Sequence, residues 1–167
     1  VYLYDSLRPV PLLSYAVQSL HATAGIVITA SHNPSKYNGY KVYWSDGGQV
    51  TPPHDIQIAE MVKEVSLDSI ALISNEEATK RGLLKEVPSE VDEHYDAMVL
   101  ESIVRKDIIS NSSINVTYTP LHGSGNKPVR RLLETLGVSC HTVTSQQEPN
   151  GDFPTVSMPN PEDPDAM

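Results

Sequence analysis

Hydrophobic positions along the chain change period several times, and each change predicts an element. Residues 1–4 (VYLY) form a short apolar run that reads as a strand. From Pro11 to about Ala22 the apolar residues Leu12, Leu13, Ala16, Val17 and Leu20 recur at helical spacing. Pro11 suits the first turn of that helix, where its missing N–H costs nothing. Residues 25–30 (GIVITA) are apolar without alternation, as in a strand covered on both faces. Strand, helix and strand in about 30 residues predict a βαβ unit with parallel strands.

Residues 40–44 (YKVYW) predict a further strand, closed by the turn Asp46-Gly47-Gly48. Only about ten irregular residues precede it, too few for a parallel crossover, so its pairing with 25–30 is expected to be antiparallel. Thr51-Pro52-Pro53 opens a helix to about Val65, and Asn75 to Arg81 is a weaker helix stopped by Gly82. Ser89 can cap a helix to about Val104, with Val91, Tyr95, Met98 and Val99 facing inward.

The polar stretch 105–113 (RKDIISNSS) is the best boundary. A second βαβ unit follows: strand 114–119, helix about 126–136 with Val129, Leu132, Leu133 and Leu136 on one face, stop at Gly137, strand 138–143. Beyond Thr144 the pattern is loop, with Pro149, Pro154, Pro159, Pro161 and Pro164. Two strands and a helix do not enclose a core, so this unit is expected to continue past the chain, which reads as a fragment. The fold class is mixed α/β, an α/β/α sandwich built from βαβ units. The expected domains are 1–107 and 108–167.

Composition narrows the function. Formal net charge is -9, and no cluster of basic residues exceeds two, so nucleic acid is excluded as an expected partner. No apolar run approaches the roughly 20 residues that span a bilayer, so no membrane is expected either. A single cysteine, Cys140, cannot form an internal disulfide and fits a reducing, cytoplasmic setting.

The candidate chemistry sits where the run 25–30 stops. Ser31-His32-Asn33-Pro34 follows it, then the turn Asn38-Gly39, then Lys41. Pro34 disfavours helix at Asn33, so the chain leaves the strand extended and turns. In open α/β sheets ligand-binding groups gather beyond the carboxyl ends of parallel strands, which is where Ser31 and His32 fall. If the next strand runs back antiparallel, Lys41 stands at the same end. A hydroxyl, an imidazole and an ammonium at one rim suit group transfer to or from serine. A serine hydrolase fits less well: the Gly-x-Ser-x-Gly elbow is absent, and His32 is adjacent to Ser31 in the chain.

The segment Thr29-Ala30-Ser31-His32-Asn33-Pro34, with Tyr37-Asn38-Gly39-Tyr40-Lys41, resembles the active-site serine loop of the phosphohexomutase superfamily, the phosphoglucomutases and phosphomannomutases. Residues 8–17 (RPVPLLSYAV) are similar to its Pro-Thr-Pro segment, with Val10 in place of Thr. Residues 46–55, 118–137 and 153–162 also resemble family segments, and the last two point to the phosphoglucomutase-like branch. On that resemblance, 1–107 is most of domain I and 108–167 the start of domain II.

The resemblance implies the chemistry. Ser31 would carry a phosphoryl group and exchange it with hexose 1-phosphate or 6-phosphate, glucose first, through a bound hexose 1,6-bisphosphate that also activates the enzyme. Lys41 would transfer a proton or stabilise charge, and His32 would shape the loop or contact phosphate. Asn33, Asn38 and His122 would serve the substrate, His122 from the loop His122-Gly123-Ser124-Gly125 before a helix N-terminus. Mg²⁺ would bind the Ser31 phosphate and three aspartates of a loop outside this chain. Asp163-Pro164-Asp165 is not that loop, because no Arg follows and it comes too early. Lys127, Arg130 and Arg131 read as a solvated helix face. The isolated fragment is expected to be inactive. Pentose or mannose phosphates as substrates, and a non-catalytic sugar-phosphate-binding member, remain as alternatives.

Overall fold

Both βαβ segments form their helices and strands, but only the second pairs its own two strands. The structure is a computed structural model that describes residues 1–34, 36–160 and 162–166, without the side chains of Ser110 and Asp165. Ser35 of the serine loop, Pro161 of the Pro-Asn-Pro-Glu segment, the Asp165 side chain and Met167 therefore lie outside the described residues. The chain divides into two units, 1–27 with 41–91, and 28–40 with 92–167.

The first unit contains β1 (Tyr2–Leu3), α1 (Val10–Ser19), most of β2 (Ala24–Ile28) and of β3 (Tyr40–Trp44), α2 (His54–Glu64), α3 (Asn75–Lys80) and β4 (Lys85–Glu86). Leu12, Ala16 and Val17 of α1 are buried, as their spacing predicts. The helix meets β2 closely: a Cβ on Gly25 would come within 2.5 Å of Val17 Cγ2, so only glycine fits that approach. Helix α1 ends three residues before the predicted Ala22. His21 turns left-handed at φ 49, its N–H donates to Gln18 O, and the Ala22 N–H donates to Val17 O. That is a Schellman stop with histidine where glycine is usual, so no sequence punctuation marked it.

The expected parallel pairing of β1 with β2 does not occur. Strand β1 pairs in parallel with β4, Tyr2 opposite Lys85 and Leu3 opposite Glu86. The Lys85 and Val87 amides donate to the carbonyls of Val1 and Leu3. A two-residue strand carries no periodic signal, which is why β4 was not anticipated. Strand β2 pairs instead with β3. The Thr29 N–H, just past the end of β2, donates to the Gly39 carbonyl just before β3, at 2.9 Å. An end beside a start is the antiparallel arrangement that the short connection predicts. The run 25–30 is not covered on both faces here: Ile26 and Ile28 are 63% and 74% exposed.

Helix α4 (Ser89–Glu101) crosses the division between the units. It buries Val91, but Met98, expected inward, is exposed. The polar stretch 105–113 contains α5 (Lys106–Ser110). Then β5 (Asn115–Tyr118), α6 (Asn126–Thr135) and β6 (Ser139–Thr142) form the second βαβ unit as expected. The strands are parallel, with Asn115 opposite Ser139 and Tyr118 opposite Thr142. Gly137, at φ 69, stops α6. No helix among the described residues is long and apolar enough to cross a membrane.

Arg131 of α6 is not part of a solvated face. Its Nε and Nη2 both donate to the Asp96 carboxylate of α4, Nη2 at 3.0 Å, and Nη1 lies 4.0 Å from Asp92. Asp92 and Asp96, four residues apart, share one helical face, and their side chains are only 11% and 13% exposed. The hydrogen bond to Asp96 holds the Arg131 guanidinium above its ordinary pKa, outweighing the opposing effect of burial, with Asp96, Asp92 and Glu93 adding charge attraction. A raised cationic pKa contributes stability below the unfolded value and loses it only as pH rises past the folded one, so this contact is intact throughout the neutral range. Truncating Arg131 to Met removes the guanidinium from the mostly buried Asp96 carboxylate. We expect a loss of about 2–3 kcal/mol, against less than about 0.5 kcal/mol for Arg130→Met, read from urea midpoints.

Candidate active site

The serine loop is a strand end held by its own side chains. Thr29 Oγ1 accepts a hydrogen bond from the Ser31 amide at 2.9 Å, and the Asn33 amide donates to Ala30 O at 3.1 Å. The Thr29–Gly39 backbone bond closes the base of the loop. Under these restraints Ser31 takes a left-handed conformation, φ 57. A non-glycine residue there costs on the order of 1–2 kcal/mol, so the turn is kept against local preference. Ser31 is exposed, and its Oγ lies 3.3 Å from His32 Nδ1.

The other predicted residues are placed as follows. His32 and Asn33 are exposed. Asn38 is exposed and uses its Oδ1 to accept from the Gly39 amide at 2.8 Å, so it secures the second turn. Lys41 lies half-buried in β3, in the first unit, two residues beyond Gly39. The structure thus brings Ser31 and His32 into contact. Among the described residues no hydrogen bond orients the second ring nitrogen of His32.

A similar turn recurs after β5. Thr119 Oγ1 accepts from the Leu121 amide at 3.0 Å, and Leu121 and His122 are left-handed at φ 47 and 59. Gly123 then donates to Pro120 O at 2.8 Å, and a Cβ on it would stand 2.8 Å from that same oxygen. Only glycine tolerates the approach. Burial, and secondarily Cys140, push the Tyr118 hydroxyl pKa up, which keeps it a neutral phenol beneath this loop.

His122, expected to serve the substrate, is 6% exposed. Nδ1 lies 2.9 Å from Glu148 O and Nε2 2.9 Å from Thr155 Oγ1, so both ring nitrogens are occupied by protein groups. Thr29, Thr119, Gln146 and Thr155 organise these loops but were not singled out from sequence. The spacing of a threonine two residues before a turn was the available signal. Among the described residues no three His, Cys, Asp or Glu side chains cluster to hold a metal ion. The groups present therefore do not by themselves make a Mg²⁺ site.

Comparison with known proteins decides the family. Residues 1–68 match the model for phosphoglucomutase/phosphomannomutase alpha/beta/alpha domain I, and residues 92–167 match domain II of the same family. The chain belongs to the phosphoglucomutase/phosphomannomutase family. Within it, the chain is 39% identical to a protein of Schizosaccharomyces pombe named probable phosphoribomutase, over 99% of the chain and 29% of that protein. It is 38% identical to a phosphoglucomutase of Staphylococcus epidermidis, over 98% of the chain and 30% of that enzyme. It is 34% identical to the mouse glucose 1,6-bisphosphate synthase, over 100% of the chain and 27% of that enzyme. The chain thus spans less than a third of each relative. A crystal structure of a candidate phosphomannomutase from Thermus thermophilus shares the fold, with TM-score 0.71 at 24% identity, over 93% of this chain and 32% of that one. The domain I match includes the exposed, left-handed Ser31.

Proposed function

We propose that these residues belong to a sugar-phosphate mutase in which Ser31 carries the transferred phosphoryl group. The observation that carries this reading is the conformation of Ser31: exposed at a strand end, left-handed, and held there by Thr29. Strain of this kind persists where the surroundings over-determine it and gathers at functional positions.

The proposed cycle balances as follows. A hydroxyl oxygen of the sugar monophosphate attacks the phosphorus of phospho-Ser31. The phosphorus–Oγ bond breaks, the sugar becomes a 1,6-bisphosphate, and the hydroxyl proton leaves as Oγ gains one. The bisphosphate turns around and Oγ attacks its other phosphorus; that phosphorus–sugar oxygen bond breaks, the Oγ proton passes to the sugar oxygen, and the isomeric monophosphate departs, leaving phospho-Ser31. Positioning and charge neutralisation dominate such transfers. Lys41 supplies positive charge and a proton near the transferring group; His32 and Asn33 shape the serine turn, and Asn38 the turn before β3. When Mg²⁺ is bound it neutralises phosphoryl charge, and a phosphoryl on Ser31 would offer one oxygen to it. The side chains acting in these steps are those of Ser31 and Lys41.

Glucose 1-phosphate and 6-phosphate are the proposed pair, with glucose 1,6-bisphosphate as activator. The 39% identity to a probable phosphoribomutase favours pentose 1- and 5-phosphates as the second reading. We place the reaction in the cytoplasm, with no nucleic acid or membrane partner. A coupled assay of the full-length protein against glucose, mannose, ribose and deoxyribose phosphates tests this. Turnover of glucose 1-phosphate that depends on the bisphosphate is expected. Turnover of a pentose phosphate alone would move the substrate to the second reading, and none with any sugar would remove mutase activity. Residues 1–167 alone are expected to show none.

A further inference from the structure

Downstream of β6 the described residues form no regular element except short 3-10 turns, yet one side chain gathers much of this segment. The His122 amide donates to Gln146 O at 2.8 Å. Its ring touches Glu148 O and Thr155 Oγ1, each at 2.9 Å, and packs edge-on against Phe153, with ring centres 6.2 Å apart. Thr119 adds a hydrogen bond to the Gln146 side chain at 2.6 Å. Segment 146–155 is thereby fastened at four points to one left-handed residue. Phe153 is itself left-handed, φ 46, and the Asp152 amide is turned onto Asn150 Oδ1. Such a segment has little secondary structure to order it and depends on these few contacts.

The chemistry of the partners fixes the histidine. A carbonyl oxygen only accepts, so Nδ1 must carry the hydrogen that goes to Glu148 O. In the neutral ring Nε2 is then bare and accepts from the Thr155 hydroxyl. We propose that His122 is a positioning residue. As the Nδ1–H tautomer it clasps segment 146–155 against the loop that opens α6, and it does not contact the sugar phosphate. The clasp rests on the structure alone; its effect on catalysis rests on the mutase reading. It would order the loop Pro120–Gly125, whose glycine-rich backbone the helix N-terminus follows.

The test uses the full-length protein with Thr155→Val, Thr155→Ser, His122→Asn and the double variant His122→Asn/Thr155→Val. Nitrogen-15 NMR of histidine-labelled protein should show one ring with Nδ1 protonated and Nε2 bare, absent in His122→Asn. Amide exchange in residues 146–156 should quicken about tenfold or more in Thr155→Val and in His122→Asn, and no further in the double variant. Thr155→Ser, which keeps the hydroxyl, should restore wild-type exchange. If the protein is a mutase, Thr155→Val should raise KM for the sugar phosphate while the phosphoryl content of Ser31 is unchanged. The opposite tautomer, or exchange effects that add in the double variant, would overturn the clasp. A His122→Asn protein with raised KM beside a Thr155→Val protein identical to wild type would assign His122 to substrate. Absence of mutase activity would sink the functional reading but leave the tautomer and exchange results as the measure of the clasp.

Discussion

Replacing Ser31 by glycine is expected to abolish turnover while leaving the full-length protein at least as stable as before. The two effects have separate causes. Ser31 sits at φ 57, where a Cβ costs on the order of 1 kcal/mol and glycine costs nothing. Removing the Cβ therefore relieves strain. Removing the hydroxyl deletes the group that holds the phosphoryl between half-reactions, and loss of a covalent nucleophile typically costs about 10⁴-fold or more. Ser31→Ala should be equally inactive but without the gain in stability, because alanine keeps the strained Cβ. Thr29→Val should act differently. It removes the acceptor for the Ser31 amide and so should loosen the turn, lowering activity partly. Melting temperature and a coupled assay on the same preparations separate these outcomes. A stable, active Ser31→Gly protein would end the nucleophile assignment.

Lys41→Met should lower kcat by about 10²–10³-fold with little change in KM or melting temperature. Methionine keeps the length and apolar stem of a half-buried residue in β3, so packing survives. What is lost is a positive charge that stabilises a developing negative charge, and such groups typically contribute about 10²–10³-fold. Lys41→Arg should recover part of the rate at most, since a guanidinium is bulkier and cannot serve as a proton donor near neutral pH. If KM rises and kcat holds, Lys41 binds ground-state substrate and does not act in the transfer.

Local patterns in the sequence carried the second βαβ unit well. Strands of four residues flank a helix with a glycine stop, and each has a periodic or punctuating signal. The antiparallel β2–β3 hairpin was legible because a short connection leaves few geometric choices. The misses share one cause, long-range contact without local signal. Strand β4 is two residues whose partners lie 83 positions away, and Arg131 finds Asp96 across 35 positions. The early end of α1 depends on His21 adopting a conformation that its side chain disfavours. At the candidate site, the motif drew attention to residues 29–34, but the turn chemistry of Thr29 and Thr119 was visible only with the backbone in place. His122 shows the same limit. A histidine in a glycine-rich loop suggests an exposed ligand group, and only tertiary structure shows both nitrogens occupied.

The measurement that bears most directly on the account is peptide mass mapping of the full-length protein. It should be done as purified and again after incubation with glucose 1,6-bisphosphate and Mg²⁺. The account predicts one added phosphoryl group on the peptide containing Ser31, which passes to the sugar and is replaced from the bisphosphate in each turnover with glucose 1-phosphate. An unmodified Ser31 peptide in both samples would contradict it, and would leave the strained serine as a feature of a sugar-phosphate-binding protein.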